Sequence, residues 1–246
     1  MEMNKKVGLT DSKLSYCPGC LHGVAHKLIA ETLEEMNEVD NTIGIAPVGC
    51  AVMAYKFFNC DMQSASHGRA CAVATGVKRV RPDNMVFTYQ GDGDLTSIGI
   101  AETIHAANRG ENITVIFVNN ANFGMTGGQM SPCTLLGQKT TTSPMGRNVA
   151  MHGYPIRMSE IMKEITGAVY VTRVTLTSPK NVIQAKLAIQ KAFKYQKEKK
   201  GFSFVEILST CPINWAKKPL DSIKWLDEEM TKIYPLGTFK DSGANK

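Results

Sequence analysis

Apolar runs recur along the chain, separated by amphipathic stretches. Five runs are rich in Val, Ile and Phe and lack strict alternation, which predicts strands covered on both faces of a sheet. These runs are Thr42–Val48, Met85–Gln90, Ile113–Asn119, Val169–Val174 and Phe202–Leu208.

Helical periodicity occupies the stretches between the runs. Apolar residues share one helix face between Ala25 and Met36 and again between Ala185 and Phe193, and Ser97–Asn108 also predicts a helix. Because strands and helices alternate, the sequence predicts an α/β fold with a doubly wound, mostly parallel sheet and helices on both faces. The 246 residues suit a single domain spanning 1–246.

Two segments fall outside this alternation. Gln129–Arg157 is rich in Thr, Ser, Gly and Pro and is too long for an idle connection, so it predicts a functional or interface loop. The tail from about residue 212 contains Pro212, Pro219 and Pro235, and we expect it to wrap the surface or a partner.

Composition narrows the class of protein. Hydrophobic residues make up 43% and charged residues 20% of the chain, which is ordinary for a soluble globular protein. No stretch approaches the roughly 18 apolar residues of a membrane span, and the polar start Met1–Lys6 predicts no secretory signal, so we expect a cytoplasmic protein without a membrane partner. The net charge of +6 is not concentrated on aromatic-rich patches, so nucleic-acid binding is not predicted.

Polar residues follow two of the predicted strands at a defined spacing. Met85–Gln90 runs into Gly91–Asp94 (GDGD), and 25 residues separate this GDG from Asn119–Asn120. Both groups lie at the carboxyl edge of a parallel sheet, where ligands bind. Oxygen atoms of Asp92 and Asn120 suit Mg²⁺, and the glycines Gly91 and Gly93 allow a diphosphate to approach the backbone.

Competing interpretations of these glycines are weaker. A lone GDG would be read as an ordinary turn, but its pairing with two asparagines at a second strand end argues against that. Thr96 stands at the third glycine position of a dinucleotide fingerprint, and the chain has no GxxxxGK[ST] phosphate loop. The glycine-containing loop 123–129 adds backbone amides that can bind anionic oxygen at the same edge.

Four of the seven cysteines stand beside turn-forming residues. Cys17 and Cys20 flank a Pro-Gly pair, while Cys50 follows the first predicted strand and Cys211 the last. Disulfides are rare in cytosolic proteins, and the strand ends of one parallel sheet converge, so we expect the four thiolates to meet at one metal site. Four cysteines fit either zinc or a 4Fe–4S cluster, and their spacing does not decide between the two.

Taken together, the motifs of this chain resemble those of a known family. YCPGC at 16–20, PVGC at 47–50, HGRA at 67–70, ATGVK at 74–78, GDGD at 91–94 and TCP at 210–212 occur in the order seen in β subunits of 2-oxoacid:ferredoxin oxidoreductases. The resemblance covers roughly residues 14–215 and implies a fold that binds thiamine diphosphate.

The resemblance also implies ligands. Mg²⁺ would be held by Asp92, Asn120 and the carbonyl of Asn122. One 4Fe–4S cluster near the thiazolium ring would be held by Cys17, Cys20, Cys50 and Cys211. Further residues implied to bind the cofactor are Gly49, Cys50, Ala51, His67, Gly68, Arg69, Gly91, Gly93, Asp94, Gly124 and Met125. Residues without a match, which we interpret as small buried thiols or as structural or surface histidines, are Cys60, Cys71, Cys133, His22, His26, His105 and His152.

The implied reaction is oxidative decarboxylation of a 2-oxoacid to acyl-CoA and CO₂, with coenzyme A as co-substrate and ferredoxin as electron acceptor. No glutamate here matches the one that activates thiamine diphosphate, and Glu102 is expected to serve helix packing or solvation. An α subunit would supply that glutamate, so we expect the chain to be inactive alone and to assemble with further γ and ferredoxin-like δ subunits.

The substrate and the rival functions depend on few residues. Met53 replaces a lysine found near the substrate in some relatives, which favours a branched-chain acid such as 2-oxoisovalerate over 2-oxoglutarate. A non-redox thiamine-diphosphate lyase or synthase would lack the cluster. A zinc-stabilised binding module would hold zinc and have no affinity for the cofactor.

Overall fold

The computed structural model describes residues 7–245, which fold around one seven-stranded sheet. The predicted polar start at residues 1–6 lies outside the described residues. The strands are β1 Thr42–Ala46, β2 Asp61–Ser64, β3 Met85–Gly91, β4 Thr114–Asn119, β5 Ala168–Thr175, β6 Phe202–Leu208 and β7 Gly237–Asp241. Their order is β2-β1-β3-β4-β6-β5-β7, and every neighbouring pair is parallel except the antiparallel β5 and β7. The prediction of an α/β, mostly parallel sheet is confirmed.

Helices connect and cover the strands. They are α1 His22–Glu35, α2 Ala70–Val80, α3 Ile100–Asn108, α4 Val149–His152, α5 Met158–Glu164, α6 Pro179–Lys197, α7 Pro219–Trp225 and α8 Thr231–Ile233. Helix α1 packs against α6, and α2 packs against α3 and β3. Among the described residues, no helix is both long enough and apolar enough to cross a membrane.

The edges of the sheet differ from the sequence-based expectation. The five predicted strands correspond to β1, β3, β4, β5 and β6, whereas β2 and β7 were not predicted. Both lie at an edge of the sheet and neither is fully buried, so they lack the apolar run on which the other predictions depend.

The predicted helix Ser97–Asn108 begins later than expected. A π-helical segment, Gly93–Ile98, follows β3, and α3 begins only at Ile100. The intervening Gly99 packs against Gly68: a Cβ atom built on Gly99 would lie 2.7 Å from the carbonyl oxygen of Gly68. Such wide helical turns are frequent at functional sites, and this one follows the GDG motif directly.

The tail beyond residue 212 contributes to the core rather than only wrapping the surface. Leu226, Met230 and Tyr234 are fully buried, at helical spacing, and the chain then returns as β7. The hydroxyl of Tyr234 donates to the carbonyl of Cys133 at 2.7 Å, which ties the tail to the 129–157 loop. The prolines predicted the breaks in this segment, but the spacing of its apolar residues explains its burial.

Candidate active site

A cavity of about 120 Å³ opens at the carboxyl ends of β1, β3 and β4, and we call it the diphosphate cavity after the ligand predicted there. Most of the predicted cofactor-binding and metal-binding residues line it. Those residues are Gly49, Cys50, Ala51, His67, Gly91, Asp92, Gly93, Asp94, Asn120, Asn122, Gly124 and Met125. The predicted Gly68 and Arg69 do not line this cavity.

Three oxygen atoms of the predicted metal ligands converge in this cavity. When the amide of Asn120 presents its oxygen, that oxygen lies 3.0 Å from Oδ1 of Asp92 and 2.9 Å from the carbonyl oxygen of Asn122. With the amide reversed, its nitrogen donates to both. An octahedral Mg²⁺ with ligands at about 2.0–2.1 Å separates neighbouring ligands by about 2.9 Å. The three oxygens therefore fit a magnesium ion.

Burial disfavours the charged form of Asp92. The residue is 1% exposed, and desolvation raises the pKa of its carboxyl to about 7, although a hydrogen bond from the hydroxyl of Ser131 opposes the rise. A bound divalent cation would stabilise the carboxylate that burial destabilises.

The loop that carries Asn120 and Asn122 has an unusual backbone at Ala121. This residue adopts a φ of 57°, which is rare for alanine because of its Cβ atom. Both of its backbone groups are hydrogen-bonded: its N–H donates to Oδ1 of Asn119 at 3.1 Å, and its carbonyl accepts from the hydroxyl of Thr134 at 2.7 Å. Asn119 in turn donates to the buried Glu206 at 2.9 Å. These bonds hold the two asparagines in place before any ligand binds.

Gly68 and Arg69 lie behind the wall of the cavity. The N–H of Gly68 donates to Oδ1 of Asp94 at 2.6 Å, and Nδ1 of His67 meets the same oxygen at 2.5 Å. Arg69 forms an ion pair with Glu102 on α3. This segment positions Asp94 and α3, so its contribution to the site is indirect except at His67. Glu102, which was expected to serve helix packing or solvation, pairs with Arg69 in the first turn of α3.

The four predicted cluster ligands line a second cavity of about 210 Å³, which we call the cysteine cavity. A Cβ atom built on Gly124 would lie 3.3 Å from Sγ of Cys50 and 3.7 Å from Sγ of Cys211. Burial raises the pKa of Cys20 to about 12 and that of Cys50 to about 11, and the neighbouring thiols add to both increases. Metal ligation would offset this cost, because it stabilises thiolates.

The thiols surround their cavity without closing on a single point. Within residues 7–245, no three His, Cys, Asp or Glu side chains are grouped so as to hold one metal ion. The other cysteines lie outside both cavities: Cys71 and Cys133 are fully buried, as predicted, whereas Cys60 is only partly buried.

His22 is a site residue that the sequence analysis missed. It lines both cavities, is 2% exposed, and its Nδ1 lies 2.6 Å from the hydroxyl of Tyr89. Burial lowers the pKa of its imidazole to about 4, so the ring is neutral near pH 7. It stacks on Tyr16, whose hydroxyl contacts the buried His26 at 2.7 Å. Its place two residues after Cys20 is the signal that could have revealed it.

The 129–157 loop is built around one buried arginine. The guanidinium of Arg147 donates to six backbone carbonyls between residues 131 and 154. The loop thereby presents Met145, Met151 and Tyr154 to solvent at 91%, 78% and 71% exposure. Three large apolar side chains exposed on one loop make this loop a candidate protein-binding surface.

Comparison with known proteins agrees with this geometry. Residues 47–207 match the family described as thiamine pyrophosphate enzyme, C-terminal TPP binding domain. The ketoisovalerate oxidoreductase subunit VorA of Methanothermobacter thermautotrophicus is 46% identical over 98% of this chain, but the chain spans only 50% of that protein's length. The 2-oxoglutarate synthase subunit KorB of Methanocaldococcus jannaschii is 38% identical over 87% of this chain and 77% of its own length.

A solved structure has the same fold. The chain matches a 2-oxoglutarate:ferredoxin oxidoreductase from Magnetococcus marinus, solved with 2-oxoglutarate, coenzyme A and succinyl-CoA bound. The TM-score is 0.80 over 99% of this chain and 88% of that one, at 24% sequence identity.

Proposed function

The chain belongs to the thiamine pyrophosphate enzyme family, together with the ketoisovalerate and 2-oxoglutarate oxidoreductase subunits, and on this premise we propose that it is the cofactor-binding subunit of a 2-oxoacid:ferredoxin oxidoreductase. It oxidises a 2-oxoacid to acyl-CoA and CO₂, uses coenzyme A as co-substrate and passes electrons to ferredoxin.

One observation carries the proposal: the two cavities share their wall. His22, Cys50, Asn120, Gly124 and Met125 line both. A group held by the oxygens of Asp92, Asn120 and Asn122 and a group held by the four cysteines would therefore be neighbours. When bound, the thiazolium supplies the electron sink for decarboxylation and a 4Fe–4S cluster accepts electrons singly.

The chain's own residues would bind and orient the cofactor and the cluster. Asp92, Asn120 and the carbonyl of Asn122 would hold Mg²⁺. A Cβ atom on Gly91 would meet nothing within 4 Å, which leaves space for phosphate oxygens, whereas one on Gly93 would lie 2.4 Å from the ring of Phe123, so this glycine lets the ring pack closely. Cys17, Cys20, Cys50 and Cys211 would hold the cluster.

The spread of the thiols favours a cluster over zinc. A structural zinc ion requires four ligands at about 2.3 Å from one point, whereas the four thiols line the wall of a cavity of about 210 Å³. This arrangement suits a group of several atoms. It also argues against a non-redox lyase, which has no use for four cysteines at the cofactor's edge.

A partner subunit completes the site. The VorA relative is about twice as long as this chain, and that relative and KorB are both named as subunits. The exposed face of the 129–157 loop, with Met145, Met151 and Tyr154, is the surface that we assign to this α subunit. Smaller γ and δ subunits would carry electrons onward in the cytoplasm.

We further propose a branched-chain substrate such as 2-oxoisovalerate, with 2-oxoglutarate as the second candidate. Met53 lines the cysteine cavity, whereas Lys56, three residues on, is exposed and is absent from the cavity lining. A pocket with a methionine here offers an apolar side chain where a dicarboxylic acid would need a cation.

The decisive experiment is a reduction assay with the anaerobically purified enzyme. Iron, zinc and thiamine diphosphate are quantified first, and visible absorption and electron paramagnetic resonance (EPR) are then followed after 2-oxoisovalerate and coenzyme A are added. We expect about four iron atoms for each copy of this chain, in addition to the iron of any ferredoxin-like δ subunit, and a cluster that is reduced only in the presence of the 2-oxoacid. Zinc without iron would support the binding module, and cofactor without a cluster would support the lyase. Either result would refute the proposal.

A further inference from the structure

Asn214 lines the cysteine cavity, three residues beyond Cys211. Its side-chain nitrogen donates to the carbonyl oxygen of Gly124 at 2.8 Å and to Sγ of Cys211 at 3.3 Å. One amide group therefore contacts both a cysteine of the second cavity and the loop that lines the first.

Neighbouring contacts fix this side chain. A Cβ atom built on Gly128 would lie 2.8 Å from Cβ of Asn214, so the loop packs closely against it. The backbone N–H of Trp215 donates to the carbonyl of Cys211 at 2.9 Å, and its indole N–H donates to the carbonyl of Asn120 at 3.1 Å. The turn from Cys211 to Trp215 thus joins the cysteine cavity to the metal-binding loops at two points.

Hydrogen bonds to a ligating sulfur are among the factors that set the potential of an iron–sulfur cluster. A donor stabilises the electron-rich reduced state more than the oxidised state, because the sulfur carries more negative charge after reduction. The second hydrogen of the Asn214 amide is held by Gly124, so a displacement of the 123–129 loop changes the contact with the sulfur.

We propose that Asn214 is a positioning residue that raises the reduction potential of the cluster on Cys211 and couples this potential to occupation of the diphosphate cavity. The inference rests on the proposed function, since it requires a cluster. Cofactor binding and cluster reduction are then linked, and the linkage is reciprocal. If cofactor binding changes the reduction potential, reduction of the cluster changes the affinity for the cofactor by the same free energy.

The test is a redox titration of the assembled, anaerobic enzyme with dithionite and mediators, followed by EPR, with and without thiamine diphosphate and Mg²⁺. In Asn214→Leu, we expect the ratio of reduced to oxidised cluster at a fixed potential to fall about tenfold, which is about 59 mV for one electron. The shift that the cofactor causes in the wild type should disappear. Trp215→Phe, which removes the indole donor but no sulfur contact, is the matched control and should keep the wild-type potential.

An Asn214→Leu enzyme with full iron content and the wild-type potential would overturn the inference. If this variant does not retain its cluster, the reduction potential is measured instead in the milder Asn214→Thr variant and compared with that of the wild type. In enzyme labelled with ¹⁵N-asparagine, pulsed EPR should detect hyperfine coupling between the reduced cluster and amide nitrogen that is weaker in Asn214→Thr than in the wild type, because Asn122 and the backbone of Asn214 also face Cys211. Equal coupling in the two proteins would overturn the inference. A preparation that binds no iron at all would instead refute the proposed function.

Discussion

Replacing Asp92 by asparagine should stabilise the metal-free protein and at the same time weaken its metal binding. Burial raises the pKa of Asp92 from 3.8 to about 7. Because the folded-state pKa is the higher one, the stability that Asp92 contributes is fully present below pH 3.8 and is lost as the pH rises through about 7.

The size of the effect follows from this shift. At about 1.36 kcal/mol per pH unit, it corresponds to about 4 kcal/mol of folding free energy lost by pH 8. Asparagine has no charge to desolvate, and its side chain can still accept from Ser131. We therefore expect Asp92→Asn to raise the free energy of unfolding of the metal-free protein at pH 8 by about 2–4 kcal/mol, and to have almost no effect near pH 4.

Asp94 is the matched control, since it is buried two residues away and carries the same functional group. Its carboxylate accepts hydrogen bonds from Gly68 N–H at 2.6 Å and from Gln90 at 2.8 Å and contacts His67 at 2.5 Å. Asp94→Asn turns an amide donor toward some of these groups, so this variant should lose about 1–3 kcal/mol of stability.

The assay is urea unfolding in a chelator of divalent cations at pH 4.5, 6 and 8, with the iron content matched among the proteins. Calorimetric titration with Mg²⁺ and thiamine diphosphate then measures binding, which should be at least tenfold weaker in Asp92→Asn, or about 1.4 kcal/mol. The reasoning is refuted if Asp92→Asn is less stable than the wild type at pH 8, or if the two proteins lose stability in parallel between pH 4.5 and 8.

Three further predictions address the cluster, the substrate and the partner. Cys211→Ala should lose most of the reduced-cluster EPR signal, whereas Cys133→Ala, at a fully buried thiol outside the cysteine cavity, should keep it; a full signal in the first variant removes Cys211 from the ligands. Met53→Lys should raise kcat/KM for 2-oxoglutarate relative to 2-oxoisovalerate about tenfold, or about 1.4 kcal/mol, and an unchanged ratio would reject a role for this position in specificity. Met151→Asp should weaken binding to the partner subunit at least tenfold, while Val80→Asp, at an equally exposed residue of α2, should not; equal affinities measured by calorimetry would exclude the 129–157 loop as the contact.

The sheet was largely predictable because its inner strands are buried on both faces. A strand such as β6, Phe202–Leu208, must be apolar at nearly every position, so a run of consecutive apolar residues predicts its burial. The edge strand β2 pairs on one side only and remains largely exposed, so its sequence, Asp61–Ser64, shows no such pattern. The burial of part of the tail was not predicted for a related reason. Its prolines are local signals, whereas the burial of Tyr234 depends on contact with a loop about 100 residues earlier in the chain.

The sequence by itself determined the oxygen-rich end of the site. Asp92 and Asn120 each follow a strand, neighbouring parallel strands end at the same edge, and the connection between them is a single crossover, so their proximity follows from chain order. Only the tertiary structure decided that the cysteine cavity shares a wall with the diphosphate cavity, and that His22 lies in this wall. It also decided that Gly68 and Arg69 do not line the diphosphate cavity, and that Asn214 lines the cysteine cavity and contacts Gly124 of the shared wall. These contacts join loops far apart in the chain, and how such loops pack depends on side-chain shapes across the whole edge of the sheet, which no local periodicity or spacing encodes.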